Sequence, residues 1–243
     1  MILALIGYGR MGKTLERVAK EEGHRVAAVY TDVQPVQAKL IPREVEVCVD
    51  FSLPDAVPTN VAEVARAGRP MVIGTTGWYQ KLPEVEAIVR EAGIGLIYAP
   101  NFSLGVNLFF RLVEAAAQLY GKLGTYDCGI HEIHHAGKAD SPSGTALKLA
   151  ELVVRHWAGK AEVLADRPPG RIGPHQLHVT STRCGTFPGE HILYLDSPDD
   201  TIELHHRARG REAFARGALR AAEWIRDRRG LFTLDDMLED LLR

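Results

Sequence analysis

The chain has 243 residues, 46% of them hydrophobic and 25% charged, enough for one large core or two modest ones. A formal net charge of -2, without long runs of like charge, gives no basic face for nucleic acid and no binding tail. Its three cysteines, Cys48, Cys128 and Cys184, are far apart and form no CxxC pair, which argues against a disulfide framework or a cysteine zinc site and fits a reducing cytoplasm.

The opening MILALI is apolar but stops at Gly7 and carries no basic leader, so it reads as a buried first strand rather than a signal peptide or membrane span. GYGRMG follows, and then KTLERVAKEEG, in which Leu15, Val18 and Ala19 recur at helical spacing before Gly23 closes the element. RVAAVY (25–30) reads as a strand, VEVCVDFS (45–52) as a strand into a turn, and residues 54–68 as a helix closed by Gly68. MVIGTTG (71–77) is an apolar strand running into a Gly/Thr turn, residues 82–93 a helix with Pro83 near its start, and IGLIYAPNFS (94–103) a further strand. Strands alternating with helices predict a Rossmann-type, doubly wound parallel sheet covered on both faces. Its ligands belong at the carboxyl ends of the strands, where Gly7–Gly12, Phe51 with Ser52, Gly74–Thr76 and Ala99–Phe102 converge.

After residue 103 the rhythm changes. Residues 104–121 form a long apolar helix, TYDCGIHEIHH (125–135) looks extended, and residues 143–157 form a helix with Leu147, Ala150, Leu152 and Val154 on broadly one side. QLHVTSTR (176–183), EHILYLD (190–196) and TIELHHRA (201–208) are strand-like runs in succession, which predict a second, α+β domain on a mixed or antiparallel sheet. Residues 211–227 are again helical, and no internal repeat appears.

Gly7, Gly9 and Gly12 follow a strand at once and open a helix, with Asp32 twenty residues beyond Gly12 at the end of the second strand. Those contexts turn a weak GxGxxG match into a dinucleotide fingerprint: a tight turn at Gly7, backbone approach to a pyrophosphate at Gly9, and helix-on-strand packing at Gly12. Asp32 is placed to bond ribose hydroxyls and repel a 2′-phosphate, favouring NADH, while Arg10 and Lys13 act in the opposite sense. A plain turn role is the competing reading of Asp32.

HEIHH (131–135) satisfies HExxH, the zinc-hydrolase pattern, only if it is helical. On a strand the two end histidines stand roughly 13 Å apart, too far to share one ion with bonds near ~2 Å. Tyr126, Cys128, Ile130 and Ile133 upstream lie in a Gly-containing stretch of little helix propensity, and Gly137, Asp140, Ser141 and Pro142 downstream form a loop. A strand is therefore expected and no metal site; surface histidines at a strand end are the plain alternative. His134 and His135 instead precede Lys138 and a helix opened by Ser143, Gly144 and Thr145. A proton-exchanging imidazole, a fixed cation and a helix N-terminus suit a small anionic substrate that is protonated during reaction. Coupled to a nicotinamide, that describes reduction of an unsaturated acid. A nucleotide-sensing protein that keeps the fold without catalysis is the alternative from another class.

EIHHAGKADSPSGTA (132–146) closely resembles the signature of the dihydrodipicolinate reductase family, the 4-hydroxy-tetrahydrodipicolinate reductases of the diaminopimelate route to lysine. The likeness continues through GRMG (9–12), DFS (50–52), VIGTTG (72–77), APNFSLGVN (99–107), RCGTFPGEH (183–191) and FARGALRAAEWI (214–225), nearly the whole chain. The resemblance implies that His134 donates the proton, that Lys138 assists it and helps hold substrate, and that His135, Ser143, Gly144 and Thr145 bind a small dicarboxylate. The fingerprint and the resemblance together imply NADH or NADPH, held by Gly7, Tyr8, Gly9, Arg10, Met11, Gly12 and Asp32 on the first count and by Phe51, Gly74, Thr75, Thr76, Ala99, Pro100, Asn101 and Phe102 at the strand ends. The resemblance also implies a dinucleotide-binding domain of residues 1–103 plus 210–243, a substrate-binding and oligomerisation domain of 104–209, and a cytoplasmic homotetramer assembled through the second sheet. The chain departs from the family in its shorter glycine spacing and in having Tyr30, Thr31 and Asp32 where some members place Glu-Arg to serve a 2′-phosphate.

Overall fold

The computed structural model describes residues 1–165, 168 and 170–243. In chain order these form β1 (Ile2–Ile6), α1 (Arg10–Glu21), β2 (Arg25–Tyr30), β3 (Val47–Asp50), α2 (Val57–Arg66), β4 (Met71–Ile73), α3 (Leu82–Ala92) and β5 (Gly95–Tyr98). There follow α4 (Leu104–Tyr120), β6 (Asp127–His134), α5 (Gly144–His156), β7 (Glu162–Ala165), β8 (Gln176–Arg183), β9 (Glu190–Asp196) and β10 (Thr201–Arg207). The chain ends in α6 (Glu212–Ile225), β11 (Gly230–Thr233) and α7 (Leu234–Leu241). It divides into two compact units, Met1–Leu104 with Arg211–Arg243, and Gly105–Gly210.

The first unit is a Rossmann-type sheet of six parallel strands in the order β11-β5-β4-β3-β1-β2. Strands buried on both faces carry apolar residues throughout, and Leu3, Leu5, Val47, Cys48, Val49, Val72 and Ile97 have almost no exposure. On one face α1, α6 and α7 contribute Leu15, Val18, Leu219, Ala222, Ile225 and Met237; on the other α2 and α3 contribute Val57, Val61, Val64, Val85 and Val89. Each large aliphatic side chain so buried contributes about 1.5–3 kcal/mol. The chain leaves β1 toward β2 on one side and then crosses to β3 on the other, with only a 3₁₀ turn at Ala38–Leu40 between β2 and β3. Strand order thus reverses between β1 and β3, and a crevice opens there at the carboxyl ends.

Two elements at the C-terminus add to those expected from the sequence: β11 extends the sheet beyond β5, and α7 starts from a capping box in which Thr233 and Asp236 satisfy each other's backbone N–H. The short strand β7 likewise carries no periodic signal over its four residues.

The second unit is a five-stranded mixed sheet in the order β10-β9-β6-β8-β7, with β6 parallel to β8 and antiparallel to β9. Alternation sorts its residues: Cys128, Ile130, Leu177, Val179, Leu193 and Leu195 pack against Phe109, Val113 and Ala117 of α4 and Leu149, Ala150 and Val153 of α5. The opposite face presents Gly129, His131, His178, Thr180, Ile192 and Tyr194. No helix among the described residues is long and apolar enough to cross a membrane.

Gly217 of α6 lies so close to the Phe102 carbonyl that a Cβ would overlap it. Gly217→Ala is therefore expected to lower the stability of the first unit by about 1–3 kcal/mol, read as a fall in the urea midpoint at unchanged m.

Candidate functional site

In the first unit, β1 ends in Gly7 at φ +89°, a left-handed conformation that favours glycine, and a Cβ there would overlap the Phe51 carbonyl. Gly12 sits equally tightly on the Gly7 carbonyl, joining helix to loop, whereas nothing lies within 4 Å of the position a Gly9 Cβ would take. Gly9 is also the N-cap of α1 and provides no side-chain hydrogen bond, and the first turn contains no acid. The helix therefore begins with N–H groups free of a side-chain cap behind an open approach, an arrangement that fits a pyrophosphate. Tyr8 donates its hydroxyl to Glu16, and the Lys13 ammonium lies 5.9 Å from the Tyr8 ring centre. Arg10 is exposed, and Met11 packs partly buried against the core. Asp32 is exposed in a turn just beyond β2, closed by a 3.0 Å bond from Thr31 N–H to the Gln34 carbonyl.

The loops after β3 and β4 are tied together by an acid outside the candidate cofactor residues. Asp50 is fully buried and accepts from Ser52 N–H, the Thr75 hydroxyl and the Asn60 amide at 2.8, 2.8 and 2.9 Å. Burial pushes its carboxyl above the ordinary range, and those hydrogen bonds only partly offset the shift. Gly74 is required because the Phe51 ring fills the space of its Cβ; Thr75 is buried and Thr76 exposed. Asn101 caps its own turn by accepting from Ser103 N–H at 2.8 Å, with Ala99 and Phe102 buried and Pro100 exposed.

In the second unit, the HExxH letters lie on a strand and its following loop. His131 faces one side of β6, bonded to Thr180 at 2.7 Å, while Glu132 and His134 share the other side. Glu132 has no exposed surface. Its Oε1 accepts from Ser143 N–H at 2.9 Å, from the Ser181 hydroxyl at 3.0 Å and from Arg183 at 2.8 Å. Its Oε2 lies 3.3 Å from His134 Nε2 and 3.4 Å from His191 Nε2. Burial alone would raise the Glu132 pKa, but His134, His191, Ser143 and Arg183 together hold it well below the carboxylate range. His191 is pushed below its ordinary value chiefly by burial, against the pull of Glu132 and with neighbouring His134 and Lys138 adding to the shift. It stands 3.3 Å from His134 Nε2 and 3.2 Å from the Ser143 hydroxyl.

Ser143 is buried as the N-cap of α5 and accepts from Ala146 N–H, while Gly144 is exposed and Thr145 partly so. Lys138 pairs with Asp140 at 2.7 Å, and His135 is half-buried in the loop after β6. The structure thus gathers His134 and the start of α5 around His191 and Glu132. Sequence reasoning had singled out neither of these two, nor Arg183, as site residues, although they lie in the stretches 132–146 and 183–191 that carried the family likeness.

A glycine-loop Rossmann unit joined to a second unit with an imidazole cluster at a helix N-terminus defines a nicotinamide-dependent oxidoreductase. Family models described as dihydrodipicolinate reductase, N-terminus and C-terminus, match residues 1–102 and 105–238. The 4-hydroxy-tetrahydrodipicolinate reductase of Christiangramia forsetii is 37% identical over 243 residues, 100% of both chains; that of Archaeoglobus fulgidus is 36% identical, covering 95% of this chain and 96% of its own. A dipicolinate-bound dihydrodipicolinate reductase from Paenisporosarcina sp. TG-14 shares the fold, with a TM-score of 0.76 at 21% identity over 97% of this chain and 98% of that one. The chain belongs to the dihydrodipicolinate reductase family.

Because the Glu132 pKa is lowered on folding, its stabilisation is complete above the unfolded value near 4.5 and is lost as pH falls below it. Glu132→Gln is expected to cost about 3 kcal/mol at pH 7 and to flatten the acid limb of stability against pH, measured by urea unfolding between pH 7 and 3.

Proposed function

We propose that this chain reduces 4-hydroxy-tetrahydrodipicolinate to tetrahydrodipicolinate with NADH or NADPH and loss of water, a step of diaminopimelate and lysine biosynthesis. The observation that carries the reading is the convergence of His134 and the α5 N-terminus on one buried cluster, with His191 3.3 Å from the first and 3.2 Å from the Ser143 hydroxyl of the second. The substrate is a small dicarboxylate. A helix N-terminus supplies N–H donors and a favourable dipole for one of its carboxylates, and Gly144 and Thr145 are the residues placed to present them. His135 and Lys138 add polar and cationic contacts, and Ser143 holds the helix start in place. His134, only partly covered, delivers a proton from its imidazole to the substrate; His191 and the Glu132 carboxylate fix its ring.

The residues of the first unit fit a dinucleotide: the Gly7–Gly12 loop for the pyrophosphate, Asp32 for the ribose hydroxyls, and Phe51, Gly74–Thr76 and Ala99–Phe102 along the strand ends. When bound, NAD(P)H supplies the hydride. The exposed Asp32 carboxylate favours an unphosphorylated ribose. Assembly as a cytoplasmic homotetramer through the outer face of the second sheet completes the proposal; the α4 and α5 helices of that unit pack on the opposite face. Sedimentation velocity tests the assembly, with a tetramer expected and a stable monomer contradicting it.

A coupled assay with synthase-generated substrate and equal NADH and NADPH tests reaction and preference together. Oxidation of NADH is expected to be the faster, and Asp32→Ser is expected to narrow the difference; binding of NADH without oxidation would identify a sensor instead. His134→Gln is expected to lower kcat by about 10²–10⁴-fold with little change in KM, because the lost proton transfer belongs to the transition state. Near wild-type turnover would remove His134 from that role.

A further inference from the structure

Hydrogen bonding leaves half of the Glu132 carboxylate unexplained. Oε1 is saturated by Ser143, Ser181 and Arg183, whereas the equally buried Oε2 has no hydrogen bond, and neither does the buried Nδ1 of His191. Facing Oε2 are His134 Nε2 at 3.3 Å and His191 Nε2 at 3.4 Å, which are themselves 3.3 Å apart. Such a nearly equilateral triangle is the face of a tetrahedron whose centre lies about 2.0 Å from every corner, the length of a zinc bond to imidazole nitrogen or carboxylate oxygen. The three side chains come from β6 and from β9, paired directly across the sheet at Glu132 and His191, so two strands hold the triangle rigidly. Side-chain exposure is 0% for Glu132, 5% for His191 and 12% for His134, which leaves an approach past His134.

We propose that Glu132 Oε2, His134 Nε2 and His191 Nε2 form a binding site for one divalent transition-metal ion of the zinc class, with the fourth position open to water or a substrate donor. Two imidazoles and one carboxylate select zinc or cobalt over magnesium and calcium, which demand more oxygen ligands. Arg183 on Oε1 and the nearby Lys138 act against the ion, so it is exchangeable rather than locked in. The site is not the HExxH site that the letters spell: His131 is on the other face of β6, and His191 comes from a different strand.

The consequence rests on the reading of His134 as proton donor, because one Nε2 cannot both coordinate an ion and deliver a proton. Zinc is therefore a reversible inhibitor of the reductase. The test is a Co²⁺ titration of the full, chelator-treated chain in a non-coordinating buffer, followed by visible absorption and metal analysis, alongside the reductase assay with added Zn²⁺. One ion per chain with a tetrahedral-type band, displaced by Zn²⁺, and activity lost with Zn²⁺ and restored by chelator are the expected results. His134→Gln and His191→Gln, each checked for folding by circular dichroism, are expected to weaken Co²⁺ binding by more than the roughly 10–100-fold that loss of an outer-shell partner costs. His131→Gln is expected to leave it unchanged. Absence of a one-to-one band, its survival in both ligand variants, or its loss in His131→Gln would overturn the site. An active reductase without the band sinks the metal site and spares the function; a band on a chain without reductase activity does the reverse.

Discussion

A carboxylate without solvent must be surrounded by donors or surrender its charge, and Glu132 meets that demand by drawing four elements to one point. Ser143 brings the start of α5, Ser181 and Arg183 bring β8, His191 brings β9, and His134 shares its own strand. Each of those side chains is held because it answers part of the same desolvation demand, so the position of the α5 N-terminus and the orientation of His134 are consequences of one buried charge. The arrangement also explains why the site occupies the end of β6: the apolar residues Cys128 and Ile130 fill the middle of the same face, and the polar cluster begins where α5 starts.

The first unit shows the same economy with a different residue. Asp50 sits at the end of β3 and binds Ser52, Asn60 and Thr75, so that the loops after β3 and β4 are fixed relative to each other. The Phe51 ring then occupies the space that Gly74 leaves, and the Phe51 carbonyl the space that Gly7 leaves. The glycines in this crevice are thus required by neighbouring backbone and rings as much as by a ligand. Gly9, with open space before it, is the exception, and it is the position where a pyrophosphate can approach the chain.

Most of the fold was legible because its periods are strong. The alternating strands and helices of residues 1–103 and the three successive strands after residue 175 appear where the patterns place them. β7 and β11 were missed because four residues cannot display a period, and α7 because it follows β11 without a break; its capping-box spacing, Thr233 to Asp236, was the available signal. Within the site, His134, Lys138 and the Ser143–Thr145 helix start were readable from spacing. Glu132 and His191 lay inside stretches that carried the family likeness, but nothing local assigned either to the site, and His191 stands 57 residues from His134 in sequence.

By itself the sequence determined that HEIHH is extended, since no helix fits between a Gly-containing stretch and a Pro-closed loop, and that a glycine loop opens the first helix. Those are local properties, set by backbone propensity and periodicity. Tertiary structure alone decided which histidine stands beside Glu132. Strand alternation turns His131 away and His134 inward, and antiparallel pairing of β6 with β9 delivers His191 opposite Glu132. Strand register is a long-range choice, made by the packing of Leu193, Leu195 and Ile130 into one core, and no short stretch of residues contains it.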